Sequence, residues 1–227
     1  MKSNYIILST KNWNLDLADR LKSYDPSSNW YHISKKEDFN LETIQRIKPN
    51  RIFIPHWSYI IPNEIYSKFN CIVFHMTDLP YGRGGSPLQN LITNSFENTK
   101  ISAIEVVEEL DAGPIYLKSN LSLYGTAEEV FIRANNVIFN MIININEQNP
   151  KLKKQEGSVV SFKRRTPKMS SIDGLKELNE IFNHIRMLDA DGYPHAYLET
   201  EQFKLEFTRA SLKGNKSIIA DVKISVK

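Results

Sequence analysis

The chain has almost no cysteine: Cys71 is the only one among 227 residues. A single thiol cannot form a disulfide within the chain, which excludes disulfide-stapled folds and favours a reducing compartment. No apolar run approaches the length needed to cross a bilayer, and the first residues lack the apolar stretch of a secretory signal. The composition therefore predicts a soluble, cytoplasmic protein without a membrane partner.

Several common site motifs are also absent. The five histidines lie apart in the sequence, and Cys71 has no neighbour at metal-ligand spacing, so we expect no metal. The glycine-rich stretch at 82–86 (GRGGS) is not followed by the Lys-Ser/Thr of a Walker A loop. The first apolar run continues into STKNWN and not into a G-x-G-x-x-G turn. The usual mononucleotide and dinucleotide fingerprints are therefore excluded.

Net charge is small. The formal value of +3 gives little attraction for a large polyanion such as nucleic acid. Basic residues nevertheless concentrate in one stretch that contains a single acid, Glu156; they are Lys151, Lys153, Lys154, Lys163, Arg164, Arg165 and Lys168. This stretch fits either a phosphate-binding segment or a solvated, flexible connection.

The hydrophobic pattern predicts an α/β fold with a mostly parallel sheet. Short runs rich in β-branched residues predict strands at 5–9, 29–34, 51–55, 71–75, 101–107 and 115–123. Helical spacing predicts helices at 12–24, 40–47, 62–69, 88–95 and 126–146, the last opened by a capping box of Thr126 and Glu129. Strands and helices in alternation are typical of βαβ units.

The composition shifts near Asn149, which predicts a catalytic core at 1–150 and a small extension at 151–227. A helical pattern covers 175–188, and two strand-like segments at 203–208 and 217–226 flank the turn Lys213-Gly214-Asn215. The extension is therefore predicted to be β-rich. Its length also fits a homodimer contact or a substrate lid.

Three residues are candidates for chemistry. His75 ends a buried strand and precedes the glycine-rich loop, where open parallel sheets bind their ligands. Asp111, in the turn ELDAGP, could orient an imidazole, although an acid in a turn is more often a local cap. His56 ends another predicted strand and could line the same cleft. A structural core histidine remains the alternative for both His75 and His56.

The stretch 74–92, FHMTDLPYGRGGSPLQNLI, resembles the signature of the 10-formyltetrahydrofolate-dependent formyltransferases, in which Asn-x-His precedes Ser-Leu-Leu-Pro and a glycine-containing loop. VVEELDAGPIYLK resembles that family's Leu-Asp-Thr-Gly turn. PNRIFIPHWSYIIPNEI matches the preceding block, and FKRRTP, IRMLDADGYPHAYLE and FKLEFTRASL resemble later blocks in order. The likeness, which extends to sugar N-formyltransferases, runs from about Pro49 onward and implies a Rossmann-like core.

The resemblance also implies roles for individual residues. His75 polarises the formyl oxygen, and Asp111 sets the charge state of His75 and helps to deprotonate the acceptor amine. The formyl donor, 10-formyltetrahydrofolate, is expected against Ser58, Tyr59, Ile60, Glu109 and Leu110. The acceptor is expected near His56, Thr77, Arg83, Gly84 and Ser86. Three aromatic residues, Trp57, Tyr59 and Tyr81, could stack on a base of the acceptor or simply pack.

Val73 departs from the family pattern. Residues two apart on a strand share a face, so the family's asparagine is expected at Val73, beside His75. Valine donates no hydrogen bond, and loss of one oxyanion donor typically costs about 2.7–4 kcal/mol of barrier. Either Thr77 or His56 replaces the donor, or the activity is weak, altered or lost.

The expected acceptor is a nucleotide-linked amino sugar of surface-glycan synthesis, because the segment after the signature blocks is too short for the barrel with which methionyl-tRNA formyltransferases grip tRNA. Nucleic acid is accordingly a disfavoured partner. The alternatives are a methionyl-tRNA formyltransferase-like enzyme and a non-catalytic folate- or nucleotide-binding relative that has lost turnover with the asparagine.

Overall fold

The computed structural model describes residues 2–214 and 216–227. In chain order its elements are β1 Asn4–Ser9, α1 Leu17–Tyr24, β2 Asn29–Ile33, α2 Leu41–Ile47, β3 Arg51–His56, α3 Asn63–Tyr66, β4 Cys71–His75, β5 Tyr81–Gly84, α4 Pro87–Thr93, β6 Asn98–Glu105, β7 Ile115–Ser122, α5 Ala127–Gln148, β8 Val160–Phe162, α6 Leu178–Arg186, β9 Ala196–Glu199, β10 Phe203–Lys213 and β11 Ser217–Val226. Short 3-10 turns lie at Asn12–Asn14 and Pro167–Ser170.

The main sheet has the strand order β2-β1-β3-β4-β6-β7. Strands β1 to β4 are parallel to one another, whereas β6 runs antiparallel to β4 and places Ser102 opposite His75. Apolar residues of β1 and β3, including Ile6, Ile7 and Phe53, are fully buried, as expected for strands covered on both faces. The predicted α/β fold with a mostly parallel sheet is confirmed.

Helix α5 supplies a long buried stripe. Ala134, Ile138, Met141, Ile142 and Ile145 recur at helical spacing and are all nearly inaccessible. Its predicted capping box is confirmed: the Thr126 amide donates to Glu129 at 2.8 Å, and the Glu129 amide donates to the Thr126 hydroxyl at 3.3 Å. No described helix combines the length and apolar character that crossing a bilayer would require.

The contacts of the chain group into two compact units. One comprises the residues up to Gly84 with Thr99–Leu121 and Ile132–Ser161, and the other comprises Gly85–Asn98, Ser122–Phe131 and Phe162–Lys227. Two stretches that precede residue 150 thus belong with the C-terminal one. The linear division into 1–150 and 151–227 stays a prediction.

The C-terminal β-structure is confirmed and is larger than the sequence indicated. Strands β11, β10 and β9 form an antiparallel sheet, in which β10 extends to Lys213, five residues past its predicted end. The hairpin joins β10 to β11 as expected, although Asn215 of its predicted turn lies outside the described residues. Strand β9 escaped prediction because four residues carry too little periodicity.

The stretch at 81–84 was expected to be part of a loop and is instead strand β5, which pairs with β8. Glycine is uncommon within strands, so Gly82 and Gly84 do not indicate one. Their φ values of 79° and 100° lie in a region that glycine adopts easily. Pairing with a segment almost eighty residues away, and not local preference, makes this stretch extended.

Candidate active site

His75 ends β4 and is buried, with 7% of its surface exposed. Its Nε2 lies 2.8 Å from the carbonyl oxygen of Gly82, and its Nδ1 lies 3.5 Å from Oδ2 of Asp111. Because a carbonyl oxygen only accepts, Nε2 donates in the first contact, which leaves Nδ1 to face the carboxylate. The predicted pairing of His75 with Asp111 is therefore present in the geometry.

Asp111 reaches His75 from a loop that starts at the other end of β4, where the Val106 amide donates to the carbonyl of Cys71 at 2.9 Å. The backbone of Asp111 is left-handed, with φ of 55°, and its side chain is only 9% exposed. Oδ2 also accepts the Gly84 amide at 2.8 Å. One carboxylate oxygen thus joins His75 to the glycine-rich strand.

Gln155 holds this aspartate in place, and nothing in the sequence pointed to it. Its Nε2 donates to the carbonyl oxygens of Asp111 at 2.7 Å and Gly113 at 2.9 Å. Its Oε1 accepts Nε and Nη2 of Arg83 at 3.1 and 2.9 Å. The contact joins positions 44 residues apart, and no local pattern could have indicated such a pairing.

Arg83 connects Glu109, in the loop that carries Asp111, to Gln155. Its Nη1 donates to Glu109 Oε1 at 2.9 Å, while the rest of its guanidinium contacts Gln155. The guanidinium is mostly buried and Glu109 is mostly exposed. Arg83 therefore braces the loop that carries Asp111, in addition to its predicted place near an acceptor.

Val73 shares its strand face with His75 and packs against Leu79, Ile104 and Ile115. The position at which the resemblance implies an asparagine is thus occupied by an aliphatic side chain in aliphatic surroundings. Thr77, one predicted replacement donor, is fully buried, and its hydroxyl donates to the Gly82 carbonyl at 3.4 Å. Thr77 therefore shares an acceptor with His75 and does not face open space.

His56, the other predicted replacement, lies at the end of β3 with its ring edge-on to Trp13 at 5.4 Å. Burial and the nearby charge of Lys11 lower the pKa of His56 to about 3. The ring is therefore neutral near pH 7 and can donate through one nitrogen only.

The segments expected to hold the donor are accessible. Tyr59, Ile60 and Leu110 are 46%, 78% and 57% exposed, unusually high values for large apolar side chains. Ser58 and Glu109 are exposed as well. Lys36 stacks over the Tyr59 ring at 4.9 Å.

Trp57, for which stacking on a base and ordinary packing were both open, is packed. Its ring lies edge-on to Phe39 at 5.8 Å and to Tyr59 at 5.3 Å, and it joins the cluster around Ile54 and Ile61. Its indole N–H is buried and has no partner among the described residues. Tyr81 is also partly buried. Of the three, only Tyr59 is exposed enough to stack on a base.

Ser86 lies in the C-terminal unit. Its backbone is left-handed at φ 51°, and its hydroxyl accepts the Arg165 amide at 3.1 Å. The basic stretch is thus anchored beside the start of α4 and is not a free connection at this point. No group of three or more His, Cys, Asp or Glu side chains that could hold a metal ion occurs in the part of the chain that the structure describes.

Comparison with known proteins identifies related chains. The family model for the C-terminal domain of methionyl-tRNA formyltransferase matches residues 167–225. A methionyl-tRNA formyltransferase of Thermotoga maritima is 30% identical over 182 residues, which cover 76% of this chain and 58% of that protein. The chain thus spans somewhat more than half the length of this curated relative.

Solved structures give a closer match. A methionyl-tRNA formyltransferase from Clostridium thermocellum is 48% identical with a TM-score of 0.96, and the match covers 99% of this chain and 100% of that one. A sugar N-formyltransferase from a Shewanella species covers 96% of both chains with a TM-score of 0.68, but at 15% identity this likeness shows the fold alone.

These relatives support the alternative acceptor of the sequence analysis better than the expected one. The amino-sugar acceptor is not confirmed, because the relatives at 30% and 48% identity carry the name methionyl-tRNA formyltransferase. The disfavoured status of nucleic acid as a partner is likewise in doubt. The family itself is clear from the match at 48% identity over 99% of this chain: this chain belongs to the 10-formyltetrahydrofolate-dependent formyltransferases.

Proposed function

We propose that the chain transfers a formyl group from 10-formyltetrahydrofolate to an amine, and that methionyl-tRNA is the acceptor. The observation that carries the proposal is the buried pair of His75 and Asp111 at the end of β4, with Nδ1 3.5 Å from Oδ2. A carboxylate beside an imidazole orients the ring for proton transfer. The names of the relatives at 48% and 30% identity support the acceptor.

The residues present fit the donor. Tyr59, Ile60 and Leu110 offer exposed apolar surface next to backbone groups, as a flat and polar pterin requires. The indole N–H of Trp57, adjacent to Ser58, is a buried donor without a partner among the described residues. When bound, the donor supplies the formyl carbon that the acceptor nitrogen attacks. Ser58, Tyr59, Ile60, Glu109 and Leu110 would hold it.

His75 must change partner to act. In this structure its Nε2 donates to the Gly82 carbonyl, so polarising a formyl oxygen requires that this oxygen replace the carbonyl. Gly82 keeps a donor after the exchange, because the Thr77 hydroxyl lies 3.4 Å away. Oδ2 of Asp111 lies 3.5 Å from Nδ1, so the proton that the acceptor nitrogen loses can be held between these two atoms and then passed to the nitrogen of the donor, whose bond to the formyl carbon breaks. His75 and Asp111 together therefore move charge at the reacting atoms.

The acceptor can be identified directly. Purified chain is incubated with 10-formyltetrahydrofolate and either methionyl-tRNA or a panel of UDP-, dTDP- and GDP-linked amino sugars. We expect tetrahydrofolate release and a formyl mass gain on methionine with methionyl-tRNA. Product with an amino sugar alone would establish the competing acceptor and contradict this one. Folate binding without any product would identify a non-catalytic relative.

Variants test the catalytic pair. His75→Ala and Asp111→Asn are expected to lower kcat by about 10²- to 10⁴-fold, the usual contribution of a positioned acid or base. His32→Ala is the matched control, because His32 contacts the Ser9 carbonyl far from this pair in the sheet order. A His75→Ala variant with the wild-type rate would remove His75 from the mechanism.

Val73→Asn tests the departure from the family pattern. We expect it to lower the free energy of unfolding by roughly 1–3 kcal/mol, because the amide would lie against Leu79, Ile104 and Ile115. The effect on kcat decides the role of the position. A rise of about a hundredfold would show that the donor is missing, whereas an unchanged or lower rate would show that this site works without it. Val73→Thr is the control of similar volume.

A further inference from the structure

Strand β11 is a long edge strand. It spans ten residues, Ser217–Val226, and pairs with β10, its one neighbour in the described sheet. An edge of this length leaves a row of backbone N–H and C=O groups that can pair with another strand. Natural proteins usually protect such edges with charges, proline or a bulge. The β-bulge of this hairpin lies on β10, between Thr208 and Ser211, and leaves β11 regular.

The even-numbered residues of β11 are all apolar: Ile218, Ala220, Val222, Ile224 and Val226. They share one face of the sheet. Val222, Ile224 and Val226 lie opposite Phe207, Leu205 and Phe203 of β10, and Ile218 lies opposite Leu212. Val222, Ile224 and Val226 are 46%, 64% and 77% exposed. An exposed apolar row on an unpaired edge marks a surface that another strand covers.

We propose that β11 pairs antiparallel with β11 of a second copy of this chain, around a two-fold axis through Val222. Such an isologous contact uses the same patch twice and joins two three-stranded sheets into one of six strands. Val222 then lies opposite Val222 of the partner subunit. Ala220 faces Ile224 of the partner subunit, and Ile218 faces Val226 of the partner subunit.

Charge favours this register over the two adjacent ones. Centred on Val222, the pairing places Asp221 opposite Lys223 of the partner subunit, and by symmetry the contact occurs twice. A shift of the centre to residue 221 or 223 instead sets two aspartates or two lysines directly opposite each other, which is unfavourable. Within the chain Asp221 already contacts Arg209, and Lys223 lies 4.0 Å from Glu206. Both side chains are exposed beside the free edge.

Sedimentation of the full chain tests the association. We expect a dimer that dissociates on dilution, with Asp221→Lys and Lys223→Asp each raising the dimer Kd about tenfold, because each creates like charges at two symmetric contacts. The double variant Asp221→Lys/Lys223→Asp exchanges the charges and should return the Kd towards the wild-type value. A wild-type chain that stays monomeric at all concentrations, or forms complexes only with other proteins, overturns the proposal.

Cysteine cross-linking tests the register. Directly opposite residues bring their Cβ atoms close enough for a disulfide. Val222→Cys should therefore give a covalent dimer on mild oxidation, whereas Ile219→Cys and Ser225→Cys should each stay uncross-linked alone and cross-link when mixed. The native Cys71 is buried, which keeps it out of the reaction. A dimer that fails to cross-link at position 222 would show that another surface is used. Formyl transfer is measured separately, so the two proposals fail independently.

Discussion

At the scale of single residues, Gln155 joins three parts of the site through four hydrogen bonds. We expect Gln155→Ala to lower kcat about tenfold with a smaller change in KM, because two hydrogen bonds that hold the loop of Asp111 are lost. Gln155→Glu keeps the acceptor for Arg83 but removes both donors, so it should be at least as damaging. Steady-state kinetics with methionyl-tRNA measure kcat and KM separately.

The control for Gln155 is Gln148→Ala, which removes an exposed glutamine side chain at the end of α5. A Gln155→Glu variant with the wild-type kcat would show that Gln155 acts only through Arg83. If Gln155→Ala and Gln155→Glu each lose rate only in proportion to their loss of stability, Gln155 serves the fold and has no particular role in positioning Asp111.

His56 makes stability depend on pH. Its pKa is lowered from 6.5 to about 3 by burial, so the unfolded chain binds a proton before the folded one does. The neutral ring therefore contributes its full share to the free energy of unfolding above pH 6.5. This share is lost as the pH falls towards 3, by up to about 1.4 kcal/mol per pH unit. We expect His56→Phe to flatten this part of the curve. Denaturant unfolding at pH 7.5, 6, 5 and 4 measures the difference.

Carboxylates also titrate in this range, so only the difference between wild type and variant counts. Parallel curves of the free energy of unfolding against pH for the two proteins would show that protonation of His56 does not contribute to the loss of stability.

Residues differ in how far the sequence identified them. His75 and Asp111 stood out because each belongs to a motif whose order is preserved along the chain. Gln155 did not, because its role arises from contacts with Asp111 and Gly113 that no neighbouring residue indicates. Thr77 was named as an acceptor-binding residue, but its complete burial was not predicted. For Trp57 the sequence left stacking and packing open, since hydrophobicity alone does not tell a packed ring from a free one.

At the scale of elements, the turn between β6 and β7 allows no side chain at Gly113. A Cβ atom there would lie 1.7 Å from the carbonyl oxygen of Glu105. We expect Gly113→Ala to lower the free energy of unfolding by roughly 3 kcal/mol or more, because backbone must move to relieve the clash. Thermal and denaturant unfolding measure the loss.

Gly174→Ala is the matched control. Gly174 has φ of 81° and no atom within 4 Å of its Cβ position, so only the strain of a left-handed residue applies, about 1–2 kcal/mol. Equal losses for the two variants would show that the space around Gly113 opens more easily than its geometry indicates.

Elements with strong periodicity were predicted well, and short or glycine-rich ones were not. Strand β4 was expected at 71–75 and lies there, and α5 begins directly after its predicted cap at Thr126. Strand β5 was missed because glycine has no strand preference and its extension depends on β8. The antiparallel direction of β6 was equally invisible, since strand polarity is a property of the pair and not of either strand.

At the scale of the whole molecule, the distribution of charge bears on the acceptor. If methionyl-tRNA binds along the basic stretch, Lys163→Ala/Lys168→Ala should raise its KM and flatten the dependence of log KM on log salt. Each lysine that contacts a phosphate contributes roughly 0.7–0.9 to that slope. Both side chains are exposed. Kinetics between 50 and 200 mM salt provide the test (about the range in which such contacts weaken most).

Lys22→Ala/Lys35→Ala removes two exposed lysines elsewhere and is the matched control. An equal loss of slope in both double variants would mean that net charge, and not the basic stretch, attracts the tRNA. A flat salt dependence in the wild type would argue for a small acceptor.

The sequence by itself determined the α/β class, the β-rich C-terminal region and the family, and it predicted His75 and Asp111 as the candidate catalytic pair, because periodicity and ordered motifs are local features of the chain. The tertiary structure alone decided how Asp111 reaches His75, that Gln155 holds it, that Thr77 is buried and that β11 has a free edge. Those features depend on contacts between distant segments, and burial and pairing exist only once the chain has folded.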